Sequence, residues 1–92
     1  MRVRHWPVDS IHVYHDPVDM RKSIDGLAAI VELELERSPF APALFVFCNR
    51  QRDKVKLLYW ERNGFVLWYK RLEKQRFKWP KRFSDVSPEQ LS

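Results

Sequence analysis

The stretch DKVKLLYWERNGFVLWYKRLEKQRFKWP, Asp53 to Pro80, decides how this chain folds. Two apolar runs, Val55 to Trp60 and Phe65 to Leu72, flank Glu61-Arg62-Asn63-Gly64, and strands joined by an Asn-Gly turn make a hairpin. A short third run, Arg76-Phe77-Lys78-Trp79, follows Glu73-Lys74-Gln75 and ends at Pro80, which extends the expectation to a three-stranded meander. Strand alternation puts Val55, Leu57 and Tyr59 on one face and Lys54, Lys56, Leu58 and Trp60 on the other. In the second strand Phe65, Leu67 and Tyr69 share a face, opposite Val66, Trp68 and Lys70. Both strands are apolar near the turn and basic at the far end.

Upstream, Ala43-Leu44-Phe45-Val46-Phe47-Cys48 is too short for a helix and too uniformly apolar for an edge, so it reads as a central strand. Asn49 to Asp53 is then a polar hairpin loop. Ile11-His12-Val13-Tyr14 alternates as a short strand that Asp16-Pro17 terminates. A helix is expected from Pro17 or Met20 to about Arg37, with Asp16 as N-cap and Pro17 at the first helical position, or with Asp19 as the competing cap. Met20, Ile24, Leu27, Val31 and Leu35 form one apolar stripe on it, Gly26 suggests close approach to a strand, and Ser38-Pro39 stops it. The expected fold is a single α+β domain over residues 1–92. In it, one long helix packs on a mainly antiparallel sheet of four to five strands with a central β-meander.

The ends are less structured in this reading. Residues 1–9 are a loose arm. Residues 83–92 carry a helix start, with Ser87 as N-cap, Pro88 at the first helical position and Gln90 closing a capping box; a helix with no body suggests a further C-terminal segment.

Ninety-two residues suit one modest core, and a hydrophobic share of 45% can build it without staples. The single Cys48 rules out an intramolecular disulfide framework, suits a reducing cytosol, and closes an apolar run as a packing residue. No run approaches the ~18 apolar residues of a membrane span, and Met1 to Pro7 has no apolar signal-type region behind its charges. A soluble cytoplasmic protein, nucleoid-associated if DNA-bound, is expected. A net charge of +5 and a pI near 9.7 favour an anionic partner, of which nucleic acid is the commonest.

The ordered motifs resemble a known family. Val18-Asp19-Met20-Arg21-Lys22, Asp25-Gly26-Leu27-Ala28-Ala29, Leu44-Phe45-Val46-Phe47, Asp53-Lys54-Val55-Lys56, Gly64-Phe65 with Lys70-Arg71-Leu72-Glu73, and Arg76-Phe77-Lys78-Trp79-Pro80 are similar to the TnpB accessory protein of insertion-sequence-66-type transposable elements. That protein is the product of the second open reading frame, encoded beside a larger transposase. It is unrelated to the RNA-guided nuclease that shares the name TnpB. Departures are Ser23 in place of a Gly, Ala41-Pro42 in place of a Ser-Gly-like turn, and Glu61 at an Asp-like position. The resemblance implies a non-enzymatic role in transposition with the transposase and other element-encoded proteins as partners, and it brings no catalytic residues.

The residues with chemistry to offer are mostly basic. Arg50, Arg52, Lys54, Lys56, Lys70, Arg71, Lys74, Arg76 and Lys78, followed by Lys81 and Arg82, stand beside few acids, and hairpin pairing converges them on the end away from the turn. Nucleic-acid binding, a protein-docking surface and a solvated face all account for such a set, and phosphate contacts would give affinity without sequence information. Trp60, Trp68, Tyr69, Phe77 and Trp79 are interleaved aromatics; most belong to the core, with Trp60 and Trp79 the candidate partner contacts. Arg21 and Lys22 oppose the helix dipole, so they either pair with Asp19 or Asp25 or touch a partner. His12 and His15 are spaced wrongly for a metal pair, and Asp16, Asp19 and Asp25 are accounted for by capping and pairing. No cofactor or metal is expected. Function therefore reads as an accessory protein of DNA transposition that binds DNA through the basic sheet end, or alternatively as a module that docks on the transposase without touching DNA.

Overall fold

The two runs around residues 61–64 pair as their alternation requires. In the computed structural model, which describes residues 8–78 and 84–85, β3 (Lys54–Glu61) and β4 (Gly64–Arg71) form an antiparallel ladder from Lys54↔Arg71 to Glu61↔Gly64. The two-residue loop is Arg62-Asn63, one position earlier than an Asn63-Gly64 turn. Its left-handed residue is Arg62 (φ 56°), while Gly64 begins β4 with a negative φ. Because φ near +60° costs an L-residue roughly 1–2 kcal/mol, this turn carries strain that Gly64 does not relieve.

The uniformly apolar run forms β2 (Ala43–Cys48), buried at every position and antiparallel to β3. On its other side lies β1 (Ser10–Val13), which runs parallel to it from Ser10↔Ala43 to Val13↔Val46. Parallel neighbours need a crossover, and the chain supplies one through α1 (Ile24–Leu33). A two-residue β5 (Ser84–Asp85) pairs antiparallel with β1, giving the order β4-β3-β2-β1-β5.

Three expectations are corrected here. The sheet is mixed, with a parallel β1–β2 pair, and strands dominate the described residues. The helix is short, ten residues instead of a span from Pro17 or Met20 to Arg37. Residues 17–22 are drawn into other bonds: Val18 N–H donates to Cys48 O (2.8 Å), and the Asp19 carboxylate accepts the Arg21 N–H (2.9 Å), a local turn that competes with helix entry. Ser23 takes the N-cap position without a side-chain cap bond. At the other end Glu36 adopts φ 52° and Arg37 N–H closes on Val31 O (3.1 Å), ending the helix before Ser38-Pro39.

The third correction concerns Arg76 to Lys78, which form no strand. Their segment folds back instead, with Leu72 N–H on Asp53 O (2.7 Å) and Phe77 N–H on Arg52 O (2.8 Å). Trp79, Pro80, Lys81, Arg82, residues 1–7 of the arm and the Ser87 to Gln90 helix start lie outside the described residues.

The apolar stripe holds although the helix shortens. Leu27 and Val31 are fully buried against Tyr14, Phe45, Phe47 and Leu58, with Met20, Ile24 and Leu35 packed beside them. At Gly26 the three atoms nearest a Cβ all belong to Lys22, from 3.3 Å, so the tightest approach there is to the segment preceding the helix. The opposite sheet face buries Ile11, Val13, Leu44, Val46, Val55 and Leu57, and Phe77 of the return segment packs on it. His12 is buried on the helix side, stacked on Phe45 at 5.5 Å with Nε2 2.9 Å from Ser10 Oγ.

Candidate nucleic-acid interface

Asn49 organises the basic end. It follows directly on β2 and is buried, and its Oδ1 accepts the backbone N–H groups of Asp53 (3.1 Å) and Lys54 (3.0 Å). Its Nδ2 donates to Asp53 Oδ1 (2.6 Å) and Gln51 Oε1 (3.2 Å). One side chain thereby fixes the loop that presents Arg50 and Arg52, and its amide holds the Asp53 carboxyl below the usual range. Arg52 itself sits at φ 61°. Reading residues 49–53 as merely polar misses this. The available signal was an Asn opening a short loop, a residue type that bonds backbone two or more positions on.

Lys56 is tied into the fold. It is half-buried on the helix face, and its ammonium donates to Met20 O (2.7 Å) and Lys22 O (2.9 Å), clamping the segment before α1 onto β3. Arg21 is held by Asp19 through both carboxylate oxygens, the shortest contact 2.7 Å, and these bonds draw the Asp19 pKa down to about 2. Lys22 is exposed, with its carbonyl held by Lys56.

The result is a groove of about 590 Å³ lined by Pro17 to Arg21, Asn49 to Gln51, Lys54 and Tyr69. A smaller depression of about 160 Å³ adjoins it at Pro17, Asn49 and Arg50 and adds His15, Cys48 and Arg52. Three segments far apart in sequence, 17–21, 49–54 and 69, therefore share one concave basic surface. Burial pushes the Cys48 thiol up to about 11, which keeps it protonated and unreactive at neutral pH.

The remaining candidates divide. Lys54 lies beside Asp53 at 3.4 Å and Arg71 is paired with Glu73 at 2.7 Å. Lys70 is exposed and, by alternation, faces away from Lys54, Lys56 and Arg71. Lys74, Arg76 and Lys78 are exposed on the return segment, where Arg76 donates to the neighbouring Gln75 O (3.0 Å). The single convergence expected of the set is thus two: the groove on the helix side, and a looser group on the other side and the return segment. Trp60 belongs to neither. It sits at the turn end in a ring cluster with Phe65 (5.0 Å) and Phe40 (5.0 Å), and Phe40 is 57% exposed.

Among the described residues, no three His, Cys, Asp or Glu side chains come together as a metal site, and no helix is long and apolar enough to cross a membrane. A family model described as "IS66 Orf2 like protein" matches residues 9–92. The chain is also similar to two proteins of Sinorhizobium fredii (strain NBRC 101917 / NGR234). It is 36% identical to "Uncharacterized protein y4jC" over 70 residues, 76% of this chain and 60% of that protein. It is 36% identical to "Uncharacterized protein y4hO" over 77 residues, 80% of this chain and 67% of that protein. The chain thus spans about three fifths to two thirds of the length of these relatives. No solved structure matches it.

Proposed function

We propose, for a chain that belongs to the IS66 Orf2-like family and shares its accessory role in transposition, that the basic groove binds nucleic acid and so helps the transposase assemble on element DNA. The observation that carries this reading is the convergence of Arg21 from one segment with Arg50 and Lys54 from another on one concave surface. Arg50 supports it most directly. It is exposed, lines both depressions and has no acidic partner among the described residues. Arg52 adds positive charge at the adjoining depression, and Lys70, Lys74 and Lys78, on the other face and the return segment, add to the overall positive field that attracts a polyanion over a longer range.

Phosphate contacts release counterions, so affinity for element-end and random duplex DNA falls steeply as salt rises, with a log–log slope of about −0.9 per phosphate neutralised. The double variant Arg50→Glu, Arg52→Glu is expected to abolish binding at low salt while its melting temperature stays close to the parent's, since neither side chain holds the fold. Unchanged affinity in this variant would remove the groove from the hypothesis. Absence of binding to every DNA tested would leave a second reading, docking on the transposase without DNA contact. That reading draws on the half-exposed rings Phe40 and Trp60 at the opposite end, with Leu33 of α1 79% exposed. Exposed rings of this kind are common anchors in protein interfaces.

A further inference from the structure

Tyr69 is the one aromatic residue of the hairpin that joins neither hydrophobic cluster nor the ring cluster at the turn. Tyr59, Phe65 and Trp68 pack on the two hydrophobic clusters, and Trp60 joins the ring cluster with Phe40, whereas Tyr69 belongs to neither and is 49% exposed. It lies on β4 directly across from Lys56, and the Lys56 ammonium stands 5.7 Å from its ring centroid. That ammonium is fixed by the Met20 and Lys22 carbonyls, so the ring has a positioned cation beside it. With the ring, the groove is lined by the apolar Pro17, Val18 and Met20 and by the basic Arg50 and Lys54.

An exposed, positioned ring inside a basic groove is the arrangement that binds unpaired bases, because every base has a π-face and phosphates flank it. A duplex keeps those faces inside its own stack and offers none to Tyr69. Charge sets the direction. Asp19 neutralises Arg21 on one wall, and Lys54 is partly balanced by Asp53, leaving Arg50 as the strongest phosphate attractor. We infer that the groove takes single-stranded nucleic acid, with one base stacked on Tyr69 and the adjoining phosphates held by Arg50 and Lys54. This rests on the nucleic-acid reading above and narrows it to the unpaired strand.

The test is fluorescence anisotropy of the full chain with a labelled oligodeoxythymidylate of about 12 nucleotides and with a labelled random duplex of the same length, at low salt. Tyr69→Ala is expected to weaken strand binding between about 5-fold and 150-fold while duplex binding changes by less than about twofold. Tyr69→Phe keeps the π-face and should restore strand affinity, and melting curves of both variants confirm that the fold persists. If Tyr69→Ala leaves strand binding unchanged while Arg50→Glu still removes it, the stacking platform is wrong and the DNA reading stands. If the parent protein binds neither strand nor duplex, the DNA reading fails and takes this inference with it. Binding of a polyglutamate peptide in the absence of strand binding would assign the groove to an acidic protein partner and overturn the inference as well.

Discussion

The β3–β4 hairpin has two ends built on different physics. At the turn, Phe40, Trp60 and Phe65 hold one another by ring contacts 5.0–5.5 Å apart, with no charge involved. At the far end the strands are basic, and order comes from hydrogen bonds: two accepted by Asn49 Oδ1, two donated by its Nδ2, and two donated by the Lys56 ammonium. Ring packing tolerates small shifts, since dispersion is non-directional, whereas a buried amide or ammonium that loses its partners is left unsatisfied at a cost. The basic end is therefore the more exactingly specified of the two, which is what a recognition surface made of long cationic side chains requires.

The largest expected effect tests the core that both ends share. Burial pushes Tyr14 up from 10.0 to about 12, with a hydrogen bond to Glu34 adding to the shift, and Cys48 from 9.0 to about 11. Both folded values lie above the unfolded ones, so the neutral forms stabilise the native state fully below about pH 9 and that stability is lost as pH rises through 11 and 12. Denaturant midpoints measured from pH 8 to 12 should fall across this window, and Tyr14→Phe should flatten the upper part of the fall. A parent protein equally stable at both limits would break the assignment.

Next come the polar supports of the basic end. Asn49→Ala and Lys56→Met are each expected to cost about 2–3 kcal/mol in urea unfolding, through unsatisfied backbone groups, and to weaken DNA binding. Asn49→Ala does so without removing a charge, which separates shape from electrostatics. At the other end Trp60→Ala is expected to cost about 1–2 kcal/mol from lost ring pairs and to leave DNA affinity unchanged. A loss of affinity equal to that of Asn49→Ala would erase the distinction between the ends. The smallest effects belong to the turn. Arg62→Gly should gain roughly 0.5–1 kcal/mol by relieving a positive φ. Gly64→Ala should stay within about 0.5 kcal/mol, because a Cβ there meets nothing within 4 Å.

Local pattern made the hairpin legible. Period-two alternation assigned the faces of Leu57 and Leu58 correctly, and the stripe from Met20 to Leu35 named the buried helix residues. What escaped was decided by partners distant in sequence. The parallel β1–β2 pairing has no local signature, because antiparallel and parallel strands of four residues look alike. Residues 17–22 have a good helix start but spend their backbone groups on Cys48 and Lys56 instead. Arg76 to Lys78 alternate like a strand, yet Phe77 N–H finds Arg52 O. At the site, composition indicated the basic end, while the division of its charges between two faces and the clamping role of Lys56 needed the register and the crossover. Membership of the IS66 Orf2-like family agrees with the ordered motifs.

The parallel pairing also sets an order of events. Hairpins closed by two residues form in about 1–10 μs, so β3 and β4 meet early. β1 and β2 meet only after the chain of residues 14–42 has closed, a contact of long sequence separation that forms late. The groove is assembled where these two histories join, at Val18 on Cys48 and at Lys56 on Met20 and Lys22. A partly folded molecule thus carries the basic hairpin but not the groove. Any ligand seated there stabilises the completed crossover by mass action, so resistance to unfolding should rise with ligand concentration.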